Sequence, residues 1–289
     1  MGVKLRVAAR SSVSKFGVAV GKQLQSVGRS LIAWSKRLFR ERYIWFEGSF
    51  RSWEEAQSSA KGYGLDEIAE RVLNSVIQAR SDSFNFERDG LVLPGNGQDG
   101  ALIAALNLAR ASSGTPIQVL DFGGGLGSTF WSHREIVEEI GLVKWTVIEQ
   151  ESFLRVSRKL PPIPKLYFEA GDSIPWEHTP NLVILGSVLQ YLESPEKVLS
   201  SLLGLRPQVL FVGRHPVSNA RERIPLVQHV PRRINESEYP MWLFPKDETT
   251  RWLASSYRLA FATSVPESGP RDRLVPGFSW RTEIWVRSS

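Results

Sequence analysis

Asp121, Gly123, Gly125 and Gly127 alternate through Val119-Leu-Asp-Phe-Gly-Gly-Gly-Leu-Gly127, where an apolar run ends in glycines and a helix-like stretch follows. Glycine allows the unusual dihedrals of such a turn and lets a ligand approach main-chain N–H groups with no Cβ in the way. At the carboxyl edge of a sheet, that chemistry is the binding of a nucleotide-like ligand. The spacing narrows the choice. A dinucleotide fingerprint GxGxxG fails in both registers, because Ser128 and Phe130 stand where the third glycine belongs. A phosphate loop GxxxxGK[ST] fails because no lysine follows the glycines. Asp121-Phe122-Gly123 spells a kinase signature, yet the chain has no HRD loop and no matching lysine strand.

The form D-x-G-x-G-x-G resembles motif I of the class I S-adenosylmethionine-dependent methyltransferases. That resemblance implies that Asp121, Gly123, Gly124, Gly125 and Gly127 hold the cofactor, with Ser187 also in the cofactor set. It further implies that Glu149, ending the run from Trp145, accepts the ribose hydroxyls, and that Asp172, after Ala170-Gly171, lies near the adenine amino group. A carboxylate suits both places because it accepts hydrogen bonds without needing to donate. Each acid also has a plainer reading: Asp121 as a brace for the loop, Glu149 and Asp172 as surface acids. The stretch Leu182 to Leu199 resembles the V-L-H-H-V-x-D-P segment of small-molecule methyltransferases, with Gln190 and Tyr191 where the two histidines often lie. Glutamine is no base, and a phenol with a pKa near 10 rarely is one. The Asn/Asp-Pro-Pro-Tyr motif of adenine methyltransferases is absent, which argues against nucleic-acid bases as substrate.

From Tyr43 onward the chain is similar to a methyltransferase family associated with surface polysaccharide and lipopolysaccharide biosynthesis. The likeness rests on an ordered set that includes Trp45-Phe-Glu-Gly48, Ser52-Trp53, Glu87-Arg88-Asp89, the glycine loop, Val188 to Tyr191, Arg214 with Pro216, Gln228, and Tyr239-Pro240. It implies O-methylation of a small molecule or a glycan or glycolipid precursor. His215 follows an apolar run at a ligand-bearing strand end and reads either as the base or as a structural histidine. Arg214 reads as a clamp for an anionic group of the acceptor or as half of an ion pair. Tyr191 and Gln190 read as hydrogen-bonding partners of donor or acceptor, and Asp89 as part of a lid. Two readings from other classes stand beside this one: a catalytically degenerate cofactor-binding scaffold subunit, and a nicotinamide oxidoreductase, which the glycine spacing disfavours.

The elements that must carry these residues follow from the texture of the 289 residues, 42% hydrophobic and 23% charged, an ordinary globular composition. With no cysteine and four scattered histidines, neither disulfides nor a metal site is expected. Residues 1–42 hold ten Lys/Arg against Glu41 alone, so the net charge of +6 describes a basic tail on a mildly acidic body, and no general nucleic-acid surface is indicated. In that tail Val13, Phe16, Val20, Leu24, Val27, Leu31, Trp34 and Leu38 form one helical stripe opposite Lys15, Lys22, Arg29, Lys36 and Arg40. Residues 13–40 therefore suit an anionic membrane surface, a protein surface, or a transit peptide. No apolar run is long enough to span a bilayer, and a cytoplasmic location, peripheral on the inner face of the membrane, is the expectation. Residues 43–113 read as an N-terminal helical cap. Residues 114–289 alternate short apolar runs with helical stretches, predicting an α/β Rossmann-like sheet of seven strands, mostly parallel with an antiparallel last strand. The sequence sets no oligomeric state.

Overall fold

A computed structural model of the chain describes residues 43–48, 50–60, 65–114, 116–171, 179–266 and 277–288. Two compact units divide it, Met1–Ile44 and Trp45–Ser289. The basic tail, with its apolar stripe, lies outside the described residues.

The second unit opens with β1 (Trp45–Glu47), α1 (Trp53–Ser59) and α2 (Leu65–Arg80). Ser52 caps α1, its Oγ accepting from the Glu55 N–H at 3.3 Å, while Glu55 reaches back to the Arg51 N–H at 2.6 Å. β2 (Asn85–Arg88) and β3 (Leu91–Pro94) form a hairpin. Its two-residue turn, Asp89-Gly90, has φ of +53° and +75°, the left-handed pair that suits the twist of a tight hairpin. Next, α3 (Gly100–Ser113) begins at Asp99, whose Oδ1 accepts from the Ala101 N–H at 2.9 Å, and ends at the left-handed Gly114.

The alternating section follows: β4 (Ile117–Phe122), α4 (Ser128–Ser132), α5 (Arg134–Glu139), β5 (Leu142–Glu149), α6 (Glu151–Ser157), β6 (Leu166–Ala170), β7 (Leu182–Gly186), a 3₁₀ turn (Leu189–Tyr191), α7 (Pro195–Gly204) and β8 (Val209–Ser218). β9 (Ile224–Val230), β10 (Ser237–Pro245), α8 (Glu248–Leu253), β11 (Tyr257–Pro266) and β12 (Ser279–Arg287) complete the chain.

Five strands, β6-β5-β4-β7-β8, lie side by side and parallel. β12 runs antiparallel along β8, and β11 closes that side as a hairpin partner. Among the described residues the sheet has ten strands rather than the expected seven. The additional ones are β1, β9 and β10, an antiparallel ribbon joined to the far end of β8 where Phe244 and Pro245 pair with Val217 and Ser218. The stretch expected as a helical cap, 43–113, holds the strands β1, β2 and β3 besides α1, α2 and α3. Its last helix, α3, packs Leu102, Ala105, Leu106 and Ala109 into one main core. Both faces of the central strands are buried, which is why they read as continuous apolar runs. On β4, Val119 enters the core under α3, and Leu120 enters the opposite one under α7 with Leu199 and Leu202.

Sequence order reverses between β4 and β7: β5 and β6 are added on one side, β8 on the other. In open α/β sheets that reversal leaves a crevice at the carboxyl ends of the two strands. The glycine loop leaves β4 there, and the segment from Ser187 leaves β7.

Candidate functional site

Three of the loop glycines have left-handed backbone, with φ of +74° at Gly123, +59° at Gly125 and +76° at Gly127. The flanks of the loop are not equivalent. A Cβ on Gly123 would stand 2.7 Å from Val188 Cγ2, on Gly124 2.5 Å from Asp121 Cγ, and on Gly127 2.8 Å from Leu166 Cδ2. All are closer than carbon atoms approach. At Gly125 the same atom would meet nothing within 4 Å. The loop is thus wedged against β4, β6 and the β7 turn on three sides and open on the fourth.

Glu149, half-buried at the end of β5, holds that open position. Its Oε1 accepts from the Gly125 N–H at 2.9 Å and its Oε2 from the Gln150 N–H at 2.9 Å. Burial pushes its carboxyl above the usual range, and these two N–H groups oppose the shift. Asp121 lies under the loop and is 2% exposed. Trp145 Nε1 donates to its Oδ2 at 3.3 Å. Burial raises its pKa to about 7, with Trp145 opposing and the charge of Glu149 adding to the rise. Asp172 lies outside the described residues.

On the β7 side, Ser187 has φ of +58°, uncommon without glycine, and donates its N–H to the Gly213 carbonyl at 2.7 Å. Gln190 is fully buried one turn later. Its Nε2 donates to the Ser187 carbonyl at 3.0 Å and to Ser187 Oγ at 2.9 Å, while its Oε1 is enclosed with no hydrogen-bond partner. The Tyr191 hydroxyl donates to Gln228 Oε1 on β9 at 2.8 Å, and its ring lies 5.7 Å from that of Tyr239 on β10. Burial raises both phenols above their ordinary pKa, Tyr191 the more, and the charge of Asp89, on the β2–β3 turn, adds to each rise. The structure therefore brings Ser187, Gln190, Tyr191 and Asp89 toward one region together with Gln228 and Tyr239, which the family likeness includes without a role.

The β8 end departs from expectation. Arg214 is exposed and strained, with φ of +48°, and its N–H is fixed by Thr282 Oγ1 at 3.1 Å. His215 is 1% exposed, pairs across to Arg281 on β12, and has both ring nitrogens enclosed. Burial lowers its pKa to about 4, outweighing the charge of Glu283. A general base must touch the proton it removes. The reading of His215 as that base is corrected here to a buried structural histidine.

A supporting network also escaped the sequence. Glu87, buried on β2, accepts from Gly90 N–H at 2.8 Å and from the hydroxyl of Ser128, the first residue of α4. Arg80 donates to the Leu126 carbonyl at 3.2 Å. Its guanidinium stands over the Trp131 ring, and burial lowers its pKa to about 10. The hairpin is in this way tied to the glycine loop. Among the described residues no group of three or more His, Asp or Glu is placed to hold a metal, and no helix is long and apolar enough to cross a membrane.

No protein-family model matches the chain, and no curated protein matches it. Among solved structures, one similar chain is a SAM-dependent methyltransferase from Methanosarcina mazei, 12% identical with a TM-score of 0.46, covering 65% of this chain and 97% of that one. A second is the magnesium protoporphyrin IX methyltransferase of Synechocystis with bound SAH, 14% identical with a TM-score of 0.43, covering 65% and 81%. A third is a SAM-bound amino pentose methyltransferase from Micromonospora echinaspora, 14% identical with a TM-score of 0.37, covering 66% and 93%.

Proposed function

We propose that this protein is an S-adenosylmethionine-dependent methyltransferase acting on a hydroxyl-bearing small molecule or a glycan or glycolipid precursor. The observation that carries the reading is the single open flank of the glycine loop, at Gly125, held by Glu149 at the point where strand order reverses. The cofactor, when bound, supplies a methyl group on a sulfonium. The groups present fit it. Each Glu149 oxygen accepts one backbone N–H and retains a lone pair for a ribose hydroxyl. Gln190 Oε1, buried without a partner, is an acceptor left for a bound molecule.

On the acceptor side, Tyr191 and Tyr239 keep their protons at neutral pH and serve as hydrogen-bonding groups rather than bases. Transfer from a sulfonium is an in-line displacement, so holding an acceptor oxygen in line is the main contribution asked of these residues. Arg214, exposed at the β8 end, is offered as the clamp for an anionic acceptor group. Asp172 keeps its proposed place by the adenine. The association with polysaccharide biosynthesis rests on the sequence resemblance, and the basic stripe of residues 13–40 supports placing the enzyme on an anionic membrane face, which vesicle cosedimentation with and without residues 1–42 tests.

A second reading, a cofactor-binding scaffold without turnover, is favoured by one observation: His215 is enclosed, and neither Gln190 nor Tyr191 replaces it as a base. Calorimetric titration with S-adenosylmethionine and its demethylated product tests the shared part. Wild type is expected to bind both, and Glu149→Ala to bind at least about tenfold more weakly, the loss of charged hydrogen bonds. A folded wild type that binds neither overturns both readings.

A further inference from the structure

β2 and β3 form a two-stranded sheet of their own, off the ten-stranded one. A lone hairpin is marginal in water, so its order depends on what ties it to the body. One tie is a buried charge. Glu87 on β2 is 9% exposed, and it places a carboxylate where an apolar side chain would pack without a desolvation cost. Both of its oxygens are used, and by different parts of the molecule. Oε1 accepts from the Gly90 N–H at 2.8 Å, in the turn that carries Asp89. Oε2 accepts from the hydroxyl of Ser128, the residue directly after Gly127 of the glycine loop. Burial pushes the carboxyl above its usual range, and these two donors oppose the shift.

The turn and the loop are also joined through α2. A Cβ on Gly90 would stand 3.6 Å from Arg71 Cγ and 3.7 Å from Val72 Cγ2, so the turn packs on that helix. The Gly90 carbonyl accepts from Ser75 Oγ at 2.7 Å. Val72, Leu73 and Val76 of the same helix cluster with Leu126 of the loop. Asp89 itself is exposed, with φ of +53°, and its charge acts on Tyr191 and Tyr239.

We propose that Glu87 is a positioning residue that makes the order of the Asp89 turn depend, through Ser128, on the cofactor held by the glycine loop. The identity of that cofactor rests on the methyltransferase reading. Ser128 follows Gly127 directly, so a ligand that steadies the loop steadies the hydroxyl from which Glu87 accepts. Both carboxylate oxygens belong to one planar group, so a change at one is felt by the Gly90 N–H at the other. The hairpin, whose strands pair only with each other, is the element that responds.

Hydrogen exchange of residues 85–94 in the full chain reads this coupling without a methyl acceptor. Saturating wild type with the demethylated cofactor is expected to slow exchange in the turn about tenfold, within the usual range of coupling between two sites. In Glu87→Ala and in Ser128→Ala the slowing is expected to vanish, with binding at most about tenfold weaker, because coupling is reciprocal. Glu87→Gln is expected to keep the slowing: its amide oxygen still accepts from Gly90, and its NH2 donates to the Ser128 oxygen. Ser128→Ala, which removes a single hydroxyl, carries the test if Glu87→Ala does not fold. A wild type that binds the cofactor with exchange in the turn unchanged overturns the proposal and leaves the methyltransferase reading standing. So does slowing that persists in Ser128→Ala. A wild type that binds neither form of the cofactor overturns that reading and the coupling with it.

Discussion

The two sides of the crevice are built by different means. On the β4 side the backbone does the shaping: three loop positions, Gly123, Gly124 and Gly127, are fixed by what a Cβ would strike, and one carboxylate, Glu149, holds the flank left open at Gly125. On the β7 and β8 side the shape comes from side chains, a buried amide on Ser187, a phenol on Gln228, a second phenol behind it, and a ribbon of strands, β9 and β10, that carries two of these groups. A backbone site tolerates almost no change and serves one ligand. A side-chain site is remade by single substitutions, which under the proposed methyltransferase reading suits the side that meets a variable acceptor.

Substitutions within the loop put this difference to its hardest test. Gly124→Ala forces a methyl to within 2.5 Å of the buried Asp121 carboxyl carbon and is expected to destabilise by about 3 kcal/mol, read from denaturant midpoints. Gly125→Ala meets no atom and bears only its left-handed backbone, about 1 kcal/mol, yet it fills the open flank. It is expected to remain folded and lose cofactor binding by calorimetry. If both variants lose stability equally, the open flank has no special status and the site assignment fails.

The pH dependence of stability sharpens the contrast, because the acid whose pKa burial raises to about 7 lies under the glycine loop. Asp121 has its pKa raised from 3.8 to about 7 by burial, so the folded protein binds this proton more tightly than the unfolded chain does. Its contribution is complete below about pH 4 and is lost as pH rises through about 7. Glu149, also raised, acts in the same direction. Wild type is therefore expected to resist urea better at pH 5 than at pH 8 relative to Asp121→Asn, which holds no titrating group there. Equal pH slopes for the two proteins would show that Asp121 is ionised in both states.

How much of this was legible in the sequence follows the same division. The glycine loop, Glu149, the parallel strands and the final hairpin could be read because backbone geometry and two-faced burial restrict residue choice strongly: glycine at left-handed positions, apolar runs in buried strands. β9 and β10 could not. Pro225 and Pro240 interrupt them, and proline normally argues against a strand. They survive in a ribbon where Pro225 pairs opposite Trp242 and Pro240 opposite Val227. Missing that ribbon left Gln228 and Tyr239, though part of the family likeness, without a place in the site. His215 misled for a related reason: its place after an apolar run resembles the ligand edge, but β8 continues to Ser218 and pairs with both β10 and β12, so the residue is inside the sheet rather than beyond it.

The smallest expected effect is the most discriminating between the two sides. Tyr191→Phe removes the hydroxyl that donates to Gln228 and leaves the amide oxygen unpaired, a loss of about 1 kcal/mol in stability. The glycine loop is untouched, so cofactor affinity is expected to stay at the wild-type value. If Tyr191 and Gln228 shape the acceptor site, any turnover found on a hydroxyl acceptor should fall through a raised KM, because the ring remains and only its fixed orientation is lost. Gln228→Glu with Tyr191 intact then supplies the control: it retains an acceptor for the phenol and should keep the hydrogen bond that Tyr191→Phe loses, while its added charge changes which acceptors bind. A Tyr191→Phe protein whose cofactor affinity falls along with turnover would join the two sides into one site and end the distinction drawn between them.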